Sequence, residues 1–192
     1  MLLDTETFGI NARSWPQLSL ATAVAVCDAL GEELDSPDKR RLGIKWPNDI
    51  ILDGGKVCGI LIESPGGTAP AKDRLIIGIG INVNNSWQLA PRSAGPNGAA
   101  LCDSSLKQHD LNSILINSLS AIQKRIGQLA SNDPQLPAAW QRLNWLTELN
   151  VEVQTCDNSI GGLCRGIDVD GALVVEDAFK THRLYSGSVR AR

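Results

Sequence analysis

The sequence predicts an α+β or α/β protein that ends in a small β-barrel, and three observations lead to this fold class. An apolar helical segment stands near the start of the chain. β-Branched runs separated by turn residues follow between residues 42 and 84. From residue 150 the chain changes to short strands separated by glycine and aspartate. Because helices and strands have different apolar periods, these changes mark different elements.

The first elements are a buried helix and a set of hairpin strands. Residues 19–34 are apolar on most sides, which is typical of a helix buried in a core. Residues 42–63 read as three strands, with the turn sequence Asp53-Gly54-Gly55 between the last two. A further strand covers residues 74–84. Residues 85–105 are rich in Pro, Gly, Ala and Ser without a clear period, which predicts a long loop that is either functional or disordered.

Two amphipathic helices and the barrel complete the chain. Asp110 is the predicted N-cap of the first helix. Apolar residues at spacings of three and four predict its core-facing stripe: Leu111, Leu115, Leu119, Ile122, Ile126 and Leu129. The second helix, residues 134–147, presents Leu136, Trp140, Leu143 and Leu146. We therefore place one domain at residues 1–148 and the barrel at residues 149–192.

Composition narrows the classes of function. A formal net charge of −3 gives no electrostatic reason to expect a nucleic-acid partner. No apolar stretch reaches the length of a membrane span, and the first residues, MLLDTETFG, lack the basic region of a secretory signal. Five cysteines without C-x-x-C spacing favour reduced, mostly buried thiols over a metal cluster. We expect a cytoplasmic protein without a bound metal cluster.

The stretch IIGIGINVN predicts a strand with one bare face, meaning a face on which glycines leave the backbone uncovered. Alternate residues of a strand face opposite sides, so Ile77, Ile79, Ile81 and Val83 form a core face. The opposite face carries Gly78, Gly80, Asn82 and Asn84. Two glycines on one face indicate that a ligand approaches the backbone closely, although a bulge or a helix packed on the glycines would give the same pattern. A dinucleotide-binding G-x-G-x-x-G motif is excluded, because Val83 replaces the third glycine.

The stretch KWPND, residues 45–49, interrupts two apolar runs with polar and turn-forming residues. Lys56 follows the next glycine turn and could lie close to Asp49 across the hairpin. A cation, a carboxylate and amides beside small residues suit a ligand with a compact body and phosphates, because lysine neutralises phosphoryl charge and an acid can hold a metal ion or a ribose hydroxyl. The alternative is that Lys56 is a solvated lysine at a hairpin edge.

Three motifs resemble the biotin protein ligases, also called biotin–[acetyl-CoA-carboxylase] ligases. They are KWPNDI, GGKVCGILIE and IGIGINVN, in that order. The segments AAWQRLNWLTELNVEV, CRGIDVDGALVVED and LYSGSVR resemble the end of the family's catalytic domain and its C-terminal barrel. The resemblance runs from residue 18 to residue 192. It implies a mixed β-sheet with packed helices, similar to biotin and lipoate ligases, followed by an SH3-like barrel.

The resemblance also implies a reaction. Members of the family use ATP and Mg²⁺ to convert biotin to biotinyl-5′-AMP, and then pass the acyl group to a lysine of a biotin carboxyl carrier domain. We therefore expect ATP and biotin as substrates, the carrier domain as partner, and a homodimer as one possible assembly. A module that binds biotin, adenylate or carrier without catalysis is the alternative. Lipoate ligase is a third interpretation, which KWPND and the barrel disfavour.

The resemblance assigns site residues by their match to the family motifs. Lys56 matches a lysine at the biotin ureido and carboxyl-adenylate region, and we expect it to be catalytic together with Asp49 and Arg190. The remaining residues are expected to bind substrate: Lys45 and Trp46 at the start of the signature, Asn48 and Asn82 near the phosphates and metal, Gly59 and Leu61 in the biotin pocket, and Gly78 and Gly80 at its floor. Trp46 is equally well explained by structural packing.

One family feature does not occur in this sequence. The family has a flexible G-R-G-R-x-G-R loop that covers the adenylate, preceded by a Ser/Thr-Asn segment that contacts biotin, and neither motif is found here. The winged-helix domain of the regulatory members is missing from the sequence too. We expect the chain to be an N-terminally truncated part of a ligase rather than a complete short protein. Adenylate formation by these 192 residues is therefore expected to be weak or absent.

Overall fold

The computed structural model describes residues 1–10, 14–35, 42–65, 74–91, 93 and 97–192. Helices pack on one face of a first β-sheet, and a second β-sheet follows along the chain. The predicted α+β class is confirmed. None of the helices in these described ranges is long and apolar enough to cross a membrane.

The bounds of the elements follow the chain in order. The helices are α1 Trp15–Glu32, α2 Leu101–Ser105, α3 Leu111–Ala130 and α4 Gln135–Leu143, with a short 3-10 helix at Trp87–Leu89. The strands of the first sheet are β1 Leu2–Asp4, β2 Leu42–Lys45, β3 Asp49–Leu52, β4 Gly55–Glu63 and β5 Arg74–Ile81. The strands of the second sheet are β6 Asn150–Gln154, β7 Ser159–Ile167, β8 Leu173–Glu176, β9 Thr181–Leu184 and β10 Ser188–Ala191.

The first sheet has the strand order β1-β5-β4-β3-β2, and its strands pair antiparallel. The sequence predicted a mixed sheet. Within the described residues, parallel pairing is confined to isolated bridges, between Ile44 and Asn144 and between Lys56 and Gly98. The reason is that β2, β3 and β4 follow one another through tight turns, which join antiparallel neighbours, whereas parallel neighbours need a longer crossover.

The second sheet has the order β10-β6-β7-β8-β9 and occupies the region predicted as a small barrel. Its β7–β8 turn, residues 168–171, packs against the helical layer. Two buried or partly buried indoles donate into this turn: Trp46 Nε1 to the Gly171 carbonyl at 3.0 Å, and Trp140 Nε1 to the Asp168 carbonyl at 3.1 Å. The turn therefore connects the second sheet to the rest of the molecule.

Helix α1 lies at the centre of the core. It contacts α3, α4 and strands β2, β3 and β4, which explains why it is apolar on most sides. It begins at Trp15, earlier than the predicted residue 19, because Pro16 suits the first turn of a helix. Its fully buried side chains include Leu18, Ala21, Val24, Ala25 and Leu30.

Helix α3 begins as predicted, but its buried face differs from the predicted stripe. The Asp110 carboxylate accepts hydrogen bonds from the Asn112 amide at 3.1 Å and the Ser113 hydroxyl at 2.8 Å. The residues that face α1 are Ile114, Ser118, Ile122, Ile126 and Leu129. The predicted core residues Leu111, Leu115 and Leu119 are 58%, 57% and 43% exposed. The buried row advances in steps of four from Ile114 to Ile126 and then by three to Leu129, and the three exposed leucines lie beside it.

Two predicted elements are shorter in the structure because their ends make other contacts, and the predicted loop contains helices. Strand β5 ends at Ile81 instead of residue 84, since the Asn82 amide donates to Val57 and the Asn82 carbonyl accepts from Leu101. Helix α4 ends at Leu143 instead of residue 147, because Asn144 is extended and the next amide bonds to Ile44. The predicted loop at residues 85–105 contains both the 3-10 helix and α2.

Candidate active site

A β-bulge in β4 aims Lys56 out of the core. Cys58 and Ile60 are buried, so regular alternation would turn Lys56 inward with them. However, Ile50 pairs with Cys58 and Ile51 pairs with Lys56, which leaves Val57 as an extra residue. The bulge reverses the alternation, and the Lys56 side chain is 49% exposed on the open face of the sheet. The lysine is thus placed by the local fold, and a simple alternation pattern does not predict its direction.

The ammonium of Lys56 forms an ion pair with Asp49 on this open face. The Lys56 Nζ to Asp49 Oδ1 distance is 2.6 Å. Gly59 pairs with Asp49 across the sheet and lies directly beneath this contact. A Cβ atom on Gly59 would lie 2.9 Å from Lys56 Nζ, so a larger residue would displace the ammonium. The glycine predicted to line a ligand pocket therefore also makes room for the ion pair.

The bare face of β5 is open. Leu75 and Ile77 are buried while Gly78 and Gly80 are exposed, which confirms the predicted alternation. Among the described residues, nothing comes within 4 Å of a Cβ atom placed on Gly80. A helix packed on the glycines is therefore excluded as their explanation in this part of the chain. Gly80 pairs with Gly59, so two glycines from neighbouring strands form one patch of exposed backbone.

Two adjoining concave regions meet at Lys56. The first, the sheet cavity, has a volume of about 580 Å³ and lies over β4 and β5. Its lining includes Lys56, Gly59, Gly80, Asn82, Trp87, Asn97 and Gly98. The second, the cleft, has a volume of about 570 Å³ and lies between the first sheet and β10. Its lining includes Lys45, Asp49, Lys56, Asn97, Trp145 and Arg190.

The cleft is electropositive. Lys45, Lys56 and Arg190 contribute three cations, against the single carboxylate of Asp49 among the lining residues that the structure describes. Arg190 comes from β10, near the end of the chain, and lies in the second sheet. Cations gathered in a concave region raise the local concentration of anions and suit phosphate groups. The three residues expected to be catalytic, Lys56, Asp49 and Arg190, thus all line the cleft.

Other expected site residues have structural contacts. Trp46 is 2% exposed, and its indole donates to the second sheet, which favours the packing interpretation. The Asn48 amide donates to the Ile60 carbonyl at 2.7 Å and ties β3 to β4. Leu61 and Gly78 pair with each other on the open face but lie beyond the lining of both concave regions.

Asn82 lines the sheet cavity while its amide is held internally. Its Nδ2 donates to the Ala99 carbonyl at 3.1 Å, and its Oδ1 accepts from Asn85 at 2.9 Å. The backbone of Asn82 also bonds to β4 and α2. We infer from these contacts that Asn82 shapes the cavity wall, and its predicted role near the phosphates stays a prediction.

The sequence patterns did not predict that residues 97–99 run alongside Lys56. The Lys56 amide donates to the Asn97 carbonyl at 2.8 Å, and the Ala99 amide donates to the Lys56 carbonyl at 2.9 Å. This segment lies within the predicted loop at residues 85–105, and its Asn97-Gly98 pair is a turn signal in the sequence. Trp87 was missed as well, because a single tryptophan in an aperiodic segment has no pattern around it.

Cys58 lies under the Lys56–Asp49 pair but stays a protonated thiol. Burial raises the pKa of Cys58 to about 12, with a smaller opposing influence from the Lys56 ammonium. A thiol with so high a pKa has almost no thiolate near neutral pH and is a poor nucleophile. Within the described residues, no group of three or more His, Cys, Asp or Glu side chains could hold a metal ion.

Comparison with known proteins shows which proteins this chain is similar to. Residues 1–82 match the model of the biotin/lipoate A/B protein ligase family. A biotin–[acetyl-CoA-carboxylase] ligase from Mycobacterium tuberculosis is 30% identical over 181 residues, which are 94% of this chain and 64% of that protein. The chain is thus similar to biotin protein ligases. It spans less than two thirds of the length of this curated relative, and 54% of the bifunctional ligase/repressor BirA of Bacillus subtilis.

Solved biotin protein ligases have the same fold as this chain. The apo structure of biotin protein ligase from Aquifex aeolicus superposes with a TM-score of 0.84 at 22% identity. The match covers 100% of this chain and 80% of that one. At this level of identity the likeness demonstrates a common fold, so the predicted biotin and lipoate ligase-like fold is confirmed.

Proposed function

We propose that this chain catalyses the ATP-dependent ligation of biotin, through biotinyl-5′-AMP, to a lysine of a biotin carboxyl carrier domain. The observation that carries the proposal is the position of Lys56, which the β-bulge places beside Asp49 where the sheet cavity meets the electropositive cleft. The structure of Aquifex aeolicus biotin protein ligase in complex with biotin and ATP, which has a TM-score of 0.83 to this chain, supports it.

The first step joins a carboxylate to a nucleotide. A biotin carboxylate oxygen attacks the α-phosphorus of ATP, the new C–O–P linkage forms, and the bond to the β,γ-pyrophosphate breaks. Negative charge accumulates on the non-bridging oxygens as this happens. The Lys56 ammonium is half exposed and carries a positive charge to the junction of the two regions, so it can neutralise the carboxylate and the α-phosphate. Asp49 holds the ammonium over Gly59 until substrate arrives.

The cleft suits the remaining phosphates. Lys45 and Arg190 flank Asp49 there and can neutralise the pyrophosphate that leaves. Mg²⁺ would arrive with ATP as part of the substrate, since Mg²⁺ in nucleotide sites is held largely by the substrate phosphates and one or two carboxylates. Asp49 is the carboxylate in a position to join it. These residue roles are proposals based on the geometry of the cleft.

The second step transfers the biotinyl group. The amine of the carrier lysine attacks the acyl carbonyl, the C–N bond forms, and AMP leaves with the bonding electrons. A neutral amine is needed for attack, and its released proton can pass to solvent in the open cleft. The carrier domain is the expected partner. The homodimer, the cytoplasmic location and the division at residue 148 stay predictions from the sequence.

The test is pyrophosphate release with biotin, ATP and Mg²⁺, compared between the unmodified chain and Lys56→Ala. Because adenylate formation by this chain is expected to be slow, protein should be in excess over ATP in a single-turnover format. We expect release that requires biotin and that falls about a hundredfold in Lys56→Ala, since one preorganised charge is worth about 3 kcal/mol. Addition of lipoate in place of biotin should give no release.

Other outcomes would support the alternatives. Saturable binding of biotin without pyrophosphate release would favour the non-catalytic module. Release that depends on lipoate would favour a lipoate ligase. Release that is unchanged in Lys56→Ala would remove Lys56 from the mechanism, whichever substrate is used.

A further inference from the structure

His109 is a buried histidine that lies outside both the sheet cavity and the cleft. Its side chain has no exposed surface. The ring atom Nδ1 lies 2.9 Å from Glu33 Oε2, and Nε2 lies 2.6 Å from Ser105 Oγ. Glu33 directly follows α1, and Ser105 is the last residue of α2. The histidine network, Glu33, Ser105 and His109, therefore joins the ends of two helices.

The histidine network has the residue types of a nucleophile relay but not the setting of one. A hydroxyl, an imidazole and a carboxylate in this order can activate a serine for attack. The Ser105 hydroxyl, however, donates to the Leu101 carbonyl at 2.9 Å, so it does not give its hydrogen to the ring. Ser105 is also not among the described residues that line the sheet cavity or the cleft. We therefore assign the network a positioning role instead of a nucleophilic one.

The backbone of His109 is bound to the residues that follow β5. The Asn84 side chain donates to the His109 carbonyl at 2.8 Å and accepts from the His109 amide at 3.0 Å. The carbonyls of residues 82 and 83 accept from the first two amides of α2. Helix α2 and His109 thus lie along residues 82–84, and the His109 ring connects this layer to α1.

The same layer continues to Lys56. The Lys56 amide donates to the Asn97 carbonyl at 2.8 Å, and the Lys56 carbonyl accepts from the Ala99 amide at 2.9 Å. The Asn82 side chain donates to the Ala99 carbonyl at 3.1 Å. A displacement of α2 would therefore reach both hydrogen bonds that hold the Lys56 backbone to residues 97–99.

We propose that His109 is a positioning residue for Lys56, and that it acts by holding α2 and residues 97–99 against the end of α1. Helix α1 lies at the centre of the core and is a firm anchor. The helices between β5 and His109 have three and five residues, which is too short for stability on their own. Their placement depends on tertiary contacts, and the buried ring supplies one. The consequence for catalysis rests on the proposed function, whereas the positioning can be measured without substrate.

Hydrogen exchange of backbone amides, followed by NMR on the 192-residue chain without substrate, tests the positioning. We expect the Lys56 and Ala99 amides to exchange about tenfold or more faster in His109→Leu, an apolar replacement that suits a buried place. Loss of a hydrogen bond to a charged group changes an equilibrium by roughly tenfold to 150-fold. The Ile60 amide, which donates to the Asn48 carbonyl at 2.9 Å, is the reference. Equal acceleration at all three amides would reveal a general loss of stability and overturn the positioning role.

A second variant and a matched control concern the carboxylate. Glu33→Ala leaves the buried ring in place and should accelerate exchange of the Ala99 amide as His109→Leu does. The double variant should exchange no faster than His109→Leu, and additive effects would show that the two residues act independently. Lys107 Nζ lies 4.0 Å from the same Glu33 oxygen and is exposed. Lys107→Ala should therefore leave exchange of the Ala99 amide unchanged, since an exposed ion pair contributes little.

Single-turnover pyrophosphate release measures the consequence for catalysis. We expect release at saturating biotin and ATP to fall about tenfold in His109→Leu. His182→Leu, which removes the other histidine–carboxylate pair, in the second sheet, should leave the rate unchanged. Faster exchange of the Ala99 amide with an unchanged release rate would overturn the role of His109 in the reaction. If the unmodified chain releases no pyrophosphate, the proposed function fails, while the exchange rates still decide whether His109 positions residues 97–99.

Discussion

At the scale of single residues, the site depends on the absence of one side chain as much as on the presence of charges. Lys56 and Asp49 form their ion pair over Gly59, whose hydrogen atoms leave space that a methyl group would fill. An ion pair this exposed contributes little to stability, because solvent screens it and both side chains lose entropy. The ion pair matters through its position, because it holds the Lys56 ammonium between the sheet cavity and the cleft.

Gly59→Ala is therefore expected to damage function while leaving the fold intact. The methyl group would lie 2.9 Å from the Lys56 Nζ and displace it, which costs little because the ammonium is the far end of a flexible chain. We expect pyrophosphate release to fall about tenfold and the free energy of unfolding to change by less than about 1 kcal/mol. Single-turnover assays and urea denaturation would measure the two effects.

Gly80→Ala serves as the comparison for Gly59→Ala. A Cβ atom there meets nothing among the described residues, so Lys56 should keep its position. We expect Gly80→Ala to affect substrate binding, because its methyl group projects into the sheet cavity, with no change in unfolding. An equal fall of the single-turnover rate at saturating substrate in both variants would contradict this account, because only Gly59→Ala displaces the Lys56 ammonium.

At the scale of elements, the amphipathic pattern of α3 predicted some of its buried residues wrongly. The predicted stripe and the observed buried row share Ile122, Ile126 and Leu129 and differ towards the N-terminus. The apolar residues at the start of α3 form a wider band than α1 covers. Which part of a wide apolar band is buried depends on the angle at which the neighbouring helix crosses it.

Substitutions along α3 should reveal this division. Ile122 is fully buried, and Ile122→Ala is expected to lower the free energy of unfolding by about 2–4 kcal/mol through lost apolar contact and a cavity. Leu115 is 57% exposed, so Leu115→Ala should change it by less than about 0.5 kcal/mol. Urea denaturation followed by circular dichroism would measure the free energy of unfolding of both variants. Similar decreases in the two variants would support burial of the predicted stripe instead.

The β8–β9 hairpin contains a carboxylate with a strongly perturbed pKa. Asp177 accepts hydrogen bonds from His182 Nε2 at 2.6 Å and from the amides of Phe179 and Lys180 at 2.7 and 2.8 Å. The bond from His182 is the largest cause that lowers the pKa of Asp177 to about 2. Since an unfolded aspartate has a pKa of about 3.9, the ionised form is favoured in the folded protein.

This shift predicts acid sensitivity of the hairpin. A depressed pKa contributes stability that is present above about pH 4 and is lost as the pH falls through about pH 2. We expect the melting temperature of Asp177→Asn to depend less on pH than that of the unmodified chain over this interval. Asp157→Asn, at an exposed aspartate of another hairpin turn, is the control. Parallel pH curves for Asp177→Asn and the unmodified chain would refute the assignment.

At the scale of the whole molecule, one turn connects the two sheets. The β7–β8 turn receives hydrogen bonds from Trp46, Trp140 and Gln17, which come from the KWPND motif, α4 and α1. Gly171 in this turn has a φ of +86°, and a Cβ atom there would come within 3.2 Å of Leu20. The same docking brings Arg190 of β10 to the cleft that contains Lys56. The candidate site therefore depends on a contact made away from it.

Trp46→Phe should weaken this docking. The substitution removes the indole donor and leaves the Gly171 carbonyl without that partner in a buried place, which costs about 1–3 kcal/mol. We expect a matching decrease in the free energy of unfolding, measured by urea denaturation. Trp145→Phe, at a tryptophan that is 37% exposed, should change it by less than about 0.5 kcal/mol. An unfolding curve of Trp46→Phe identical to that of the unmodified chain would show that the indole hydrogen bond is not needed.

Local sequence was sufficient for the hairpin strands β2, β3 and β4 and for the motifs that indicate the family, whereas β1 was not predicted. The alternation in β5, the glycine turn before Lys56 and the Asp110 cap all depend on residues within a few positions of one another. Such features follow from backbone geometry and from the need to bury one face, so they can be read along the chain.

The tertiary structure determined the direction of the Lys56 side chain and the residues that surround it. A one-residue register shift at Val57 turned its side chain to the open face. Docking of the second sheet added Arg190, and the segment after β5 added Trp87. These arrangements depend on strand register and on packing between residues far apart in sequence. Neither can be predicted from residues that are close together along the chain.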